Sequence, residues 1–250
     1  MVPPMHGIAR PLATTGLAVA VALAAWALLA WMALDMGHPL VQLTMPGAPD
    51  WSPANVAAIF AMWSVMMAAM MLPSALPMLL AFARMEEQPG QAGRARAFEA
   101  AYLAVWVGFS ALATGLQWVL QWMDWVDPMI VSTSKELNAG LLLIAGAYQF
   151  SPLKRVCLAR CRTPAAFLVG EWRPHVRGAW VMGLRHGAMC VGCCWALMAL
   201  LFVGGVMNIA WVAALAVAVA VEKMVPGGER VAMVLGLALI AGGLSRMFFS

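Results

Sequence analysis

Ten residues, His186-Gly187-Ala188-Met189-Cys190-Val191-Gly192-Cys193-Cys194-Trp195, hold three of the five cysteines and one of the four histidines of the chain. If this stretch is helical, His186, Cys190 and then Cys193 or Cys194 follow one another at steps of four, three and four residues and share a face. Imidazole and thiolate on one stripe are ligands for soft metals. The same thiols could instead carry dithiol redox chemistry.

Three other constellations accompany this one. Cys157 and Cys161 stand four apart in a polar stretch, so on a helical turn their thiols point the same way. Their neighbours Arg155, Arg160 and Arg162 are expected to lower the thiol pKa values and favour thiolate. Met62, Met66 and Met70 recur every four residues, with Met67 and Met71 on an adjacent stripe and Met78 further on. Thioethers suit copper(I), although methionine is also an adaptable packing residue, and 21 of them is a clear excess. Glu222-Lys223 closes an apolar segment; a helix-end ion pair reaching for the interface is the simpler reading. A carboxylate that ligates or supports the cysteine site is the other.

Several chemistries lack their residues. There is no Cys-xx-Cys-His for covalent haem, no glycine-rich phosphate loop for an ATP-driven pump, and no His-Glu-xx-His for a zinc protease of that type.

The elements that position these residues are set by composition. The chain of 250 residues is 64% hydrophobic and 10% charged, with mean hydropathy +0.84. Soluble domains are roughly half apolar and a quarter charged. An all-α, polytopic membrane helix bundle of about seven transmembrane helices is therefore expected, as a single integral membrane domain over residues 1–250. Its spans are placed at about 12–34, 54–83, 98–123, 137–150, 178–203, 209–221 and 231–245, with a cysteine-containing loop at 151–177. Pro73 and Pro77 should kink the second span and free carbonyls that the bundle must satisfy. Gly183 and Gly187 form a small-xxx-small pair that lets another helix approach closely. Alternating the loops puts twelve Lys and Arg on one side and two on the other. The bias orients the N-terminus and the cysteine loop toward the cytoplasm. Cytosol is reducing, so a structural disulfide between Cys157 and Cys161 is not expected. Cys190 falls about 12 residues into its span, roughly 18 Å along the helix. Unless the 151–177 loop re-enters, its cysteines form a second site in series with the inner one.

Three blocks resemble a bacterial family of predicted metal-binding integral membrane proteins, a domain of unknown function. They are Met62-Trp63 with Met66-Met67-Ala68-Ala69-Met70-Met71-Leu72-Pro73; Tyr148-Gln149 with Ser151-Pro152-Leu153-Lys154, Cys157, Cys161-Arg162 and Pro164; and Gly183 with His186-Gly187 and Cys190-Val191-Gly192-Cys193-Cys194-Trp195, followed by Glu222-Lys223. The last is the most specific, and together they span most of residues 55 to 225. The resemblance implies embedding in a bacterial inner membrane and metal binding through these cysteines.

The reading that follows is a membrane protein that binds a soft transition metal, copper(I) before zinc or another metal, for handling or delivery. His186, Cys190, Cys193 and Cys194 form the inner site and Cys157 and Cys161 the outer pair. Met62, Met66 and Met70 add weaker ligands, and Glu222 is a further candidate. Its partners are the lipid bilayer, the metal ion and a partner membrane or metallochaperone protein, with no role for nucleic acid. Rival readings are a membrane thiol/quinone oxidoreductase, a metal-dependent membrane oxygenase or a subunit of one, and a scaffold.

Overall fold

A computed structural model describes residues 6–47, 51–85 and 93–248, with no account of the side chains of residues 6–14. The start of the N-terminal tail and parts of the expected 35–53 and 84–96 connections lie outside these residues. Among the described residues the fold is all helical, with one isolated bridge between Val126 and Ser132.

Eleven helices follow in order among the described residues: α1 (His6–Leu34), α2 (Pro39–Gln42), α3 (Pro53–Met85), α4 (Arg94–Trp122), α5 (Lys135–Tyr148), α6 (Pro152–Arg162), α7 (Pro164–Glu171), α8 (His175–Ala199), α9 (Leu201–Gly204), α10 (Ile209–Met224) and α11 (Gly228–Phe248). The seven expected spans fall on α1, α3, α4, α5, α8 with α9, α10 and α11. Among the described residues five stretches are long and apolar enough to cross a membrane: Thr15–Leu34, α3, α4, α8 continued through α9, and α11. The other two, α5 and α10, have 14 and 16 residues. At about 1.5 Å per residue these reach roughly 21 and 24 Å, against a hydrocarbon core of about 30 Å.

The central layer is α3, α4 and α8. Helices α4 and α8 run parallel at close range. A methyl group on Gly183 would strike the Phe98 carbonyl, and one on Gly187 would meet Val105 at 2.8 Å. The small-xxx-small pair therefore does the job its spacing suggests. Helix α3 lies antiparallel to α4, as three levels show: Trp63 Nε1 donates to Gln117 Oε1 at 2.8 Å, Tyr102 Oη donates to the Met71 carbonyl at 3.2 Å, and Phe82 stacks on Phe98 at 4.7 Å. Helix α3 is helical through both of its prolines. Pro73 has no N–H to give to the Ala69 carbonyl, and that carbonyl accepts from Trp26 Nε1 of α1 at 2.9 Å instead.

On the flank, α5 packs antiparallel to α11 through glycines: Gly146 lies against Gly236 and Ile240, and Gly243 against Leu143. Ser151 then caps α6 by accepting from the Lys154 N–H at 3.1 Å, with Pro152 at the first helical position. Helix α6 turns inward along α8. A methyl group on Gly192 would come within 2.8 Å of Cys157 Sγ. The 151–177 segment thus re-enters the bundle, which replaces the expected two sites in series with one sulfur-rich layer.

Candidate metal centre

The layer is built on one face of α8. Cys190, Cys193 and Cys194 are all buried, and all five cysteines carry free thiols. Cys193 Sγ and Cys194 Sγ both donate to the Cys190 carbonyl, at 3.1 and 2.9 Å. Cys190 Sγ itself meets Tyr102 Oη at 3.2 Å and Lys223 Nζ at 2.9 Å. Lys223 also donates to Ser74 Oγ of α3 at 3.1 Å. Met71 brings its sulfur to 4.0 Å from Cys194 Sγ.

Helix α6 supplies the two remaining thiols. Cys157 is buried against Gly192. Burial pushes its thiol pKa up, and the nearby Cys193 adds to the rise. The Cys161 thiol stands near Cys193; that interaction first, then burial, holds its pKa well above the ordinary thiol range. The expected lowering by Arg155, Arg160 and Arg162 does not occur. Arg162 is turned away to the Glu222 and Val225 carbonyls, at 2.6 and 2.8 Å. Arg160 sits 3.7 Å from Glu171 on an exposed surface.

Other expected ligands stand differently. Glu222 and Lys223 are not an ion pair reaching for the interface. Neighbours on a helix point apart, so Glu222 pairs with Lys154 of α6 at 2.7 Å, both side chains almost fully buried, while Lys223 turns to Cys190. His186 is buried in an aromatic box, with ring centroids 5.8 Å from Phe98, 5.5 Å from Tyr102 and 5.4 Å from Phe167. Its Nδ1 has no hydrogen-bond partner. Met62, Met66 and Met70 are buried in α3, but the thioether that approaches a thiol is that of Met71, on the neighbouring stripe. Among the described residues no three His, Cys, Asp or Glu side chains converge as a ready ligand set. The thiols lie side by side, two of them tied to their own helix.

Sequence reasoning missed Tyr102 and Ser74 of the polar shell around the sulfurs, and it read Lys223 as an interface ion pair with no place beside the thiols. Two signals were available. The chain has two tyrosines, and both bond to the cysteine helix: Tyr102 at Cys190, and Tyr148 through its hydroxyl to the Gly192 carbonyl. A lysine inside an apolar helix was the second signal, since such residues mark sites by default.

Chemically the layer offers soft sulfur donors beside a fixed positive charge, shielded from water. Thiolate and thioether are the donors that select copper(I). A family model described as copper chaperone, PpoB2, matches residues 60–245. No curated protein and no solved structure matches the chain.

Proposed function

This chain belongs to the copper chaperone family PpoB2, and from that premise we propose that it takes copper(I) as cargo among the cysteines of α8 and gives it up to an acceptor protein. The observation that supports this most is the 2.9 Å contact of Lys223 Nζ with Cys190 Sγ. A buried ammonium needs an anion beside it. Among the described residues Lys223 makes no ion pair with a carboxylate, and a thiolate on Cys190 meets the need. Thiolate is also the form that binds metal. Copper(I) held by two thiolates carries one net negative charge, which Lys223 offsets in a low-dielectric setting where an unbalanced charge would be costly.

In this reading Cys190 and Cys193 supply the two thiolates, Cys194 adds a neutral thiol and Met71 a weak thioether donor. Cys161 and Cys157 receive or release the ion on the α6 side. Rotation of Cys193 and Cys194 off the Cys190 carbonyl accompanies loading, so the ligands exchange readily, as a carrier requires. His186, one turn from Cys190, stands by as a donor for the ion in transit, and Met62, Met66 and Met70 extend the thioether supply along α3. Glu222, bound to Lys154, anchors α6 instead of ligating. The Lys and Arg distribution would place the α6 side in the cytoplasm of a bacterial inner membrane.

The test is transfer. Full-length protein in lipid vesicles is loaded with copper(I) and mixed with a chromogenic copper(I) chelator. The reading requires copper to be held and then released to the chelator in a reaction that Cys190→Ser slows or abolishes at the loading step. Wild-type protein that takes up no copper(I) contradicts it.

A further inference from the structure

Outside the sulfur layer, a cavity of about 220 Å³ opens between the end of α5, the start of α6 and the start of α11. Its origin is local. Glycines hold α5 against α11 from Gly243 to Gly146, and then the chain breaks at Ser151-Pro152 and α6 departs toward α8. The helices separate at that break and leave the cleft. Phe150, Leu158 and Met233 give it apolar walls.

Three polar side chains line the same cavity with hydrogen-bonding capacity left unused. Gln149 is 3% exposed, and neither its amide nitrogen nor its amide oxygen has a hydrogen-bond partner. It lies close to Glu222 without forming a good bond to it. Arg155 and Glu229 are exposed at the rim, and among the described residues neither takes part in an ion pair. Lys154, also at the wall, is already committed to Glu222. A buried amide whose hydrogen bonds are left unmade is costly, and apolar walls with a few convergent polar groups are the mark of a ligand pocket.

The geometry points to a binding site for the headgroup of an amine-bearing, zwitterionic phospholipid, with its phosphate on Arg155, its primary ammonium on Glu229 and an ester or phosphate oxygen on the Gln149 amide. The charges decide the class. One free cation and one free anion at the rim complement a zwitterion, and a carboxylate accepts hydrogen bonds from a primary ammonium but none from a quaternary one, whereas a net anionic lipid would leave Glu229 facing like charge. Acyl chains would run along Phe150, Leu158 and Met233 into the surrounding bilayer, since α11 is among the helices able to cross it. This inference is independent of copper handling.

The experiment is native mass spectrometry of the full chain released from detergent with equimolar phosphatidylethanolamine, phosphatidylcholine and phosphatidylglycerol. Phosphatidylethanolamine is expected to be retained at least threefold over either of the others. Arg155→Gln and Glu229→Gln, both at exposed positions, should each bring that preference to near unity, and Gln149→Leu should weaken it. Equal retention of all three lipids, or a preference that survives both rim substitutions, means non-specific boundary lipid and overturns the assignment. Preference for phosphatidylglycerol overturns it in favour of a simple phosphate site. Soluble phosphoethanolamine that displaces the lipid at equal concentration overturns the lipid source.

Discussion

Lys223 Nζ sits 2.9 Å from Cys190 Sγ, joining α10 to the cysteine helix. The lysine is 7% and the cysteine 1% exposed, so the contact lies away from water, where a charge and its partner depend on each other. If Lys223 balances the thiolate complex, Lys223→Met lowers copper(I) affinity at least tenfold, about 1.4 kcal/mol, and Lys223→Arg retains most of it. Competition titration with a copper(I) chelator reads both. An unchanged affinity in Lys223→Met would remove the charge argument.

The Lys154–Glu222 pair is a second buried charge contact, at 2.7 Å. Its role is predicted to be anchorage of α6. Lys154→Met alone strands a buried carboxylate and should cost about 3–5 kcal/mol. The combined Lys154→Met and Glu222→Leu variant should recover most of that loss, because the unpaired charge is gone. Thermal unfolding of the wild type and both variants in one detergent gives the comparison; a double variant no better than the single one contradicts the prediction.

The helix content, the close glycine contact of α8 and the candidate thiols were legible in the sequence, because apolar length and a small-xxx-small pair each have one strong structural meaning. The partners of the thiols were not. Whether Cys157 and Cys161 sit above the inner cysteines or beside them depends on how α6 leaves Ser151, and periodicity carries no such information. The stripe Met62, Met66, Met70 had the regular spacing, yet Met71 meets Cys194, since the rotation of α3 is set by Trp63 on Gln117 and Trp26 on Ala69. Lys223 next to Glu222 looked like its partner in sequence, while helical geometry sends the two to opposite neighbours.

Close packing at Gly187 should be intolerant of bulk. Gly187→Leu would drive a side chain into Val105 and the Tyr102 carbonyl. Overpacking of this kind costs about 1–3 kcal/mol and would push Tyr102 off Cys190. Lower thermal stability together with weaker copper(I) binding is expected. Wild-type behaviour in both would mean that α4 and α8 do not meet at Gly187.

The raised thiol pKa values of Cys157 and Cys161 set a pH dependence. A thiol whose pKa is raised stays protonated at neutral pH, so both should react slowly with iodoacetamide at pH 7 in the folded protein. The rates should climb only above the ordinary thiol range, and unfolding in detergent should restore ordinary reactivity. Copper capture by this pair must then release protons and should strengthen as pH rises. Fast folded-state alkylation at pH 7 contradicts the prediction.

Orientation is tested by the same thiols. A membrane-impermeant maleimide should reach the α6 side only in inverted vesicles or broken cells. Labelling of Cys161 in intact spheroplasts would reverse the topology.

Metal content tests the central claim most directly. Full-length protein purified without chelator under reducing conditions is analysed for copper and zinc, beside a Cys190→Ser, Cys193→Ser double variant, with a mass-shift count of free thiols. The account predicts close to one copper per wild-type chain, its loss in the double variant, and reduced thiols in the wild type. Copper retained by the double variant, or a wild type that arrives metal-free with Cys190 and Cys193 joined in a disulfide, would contradict it.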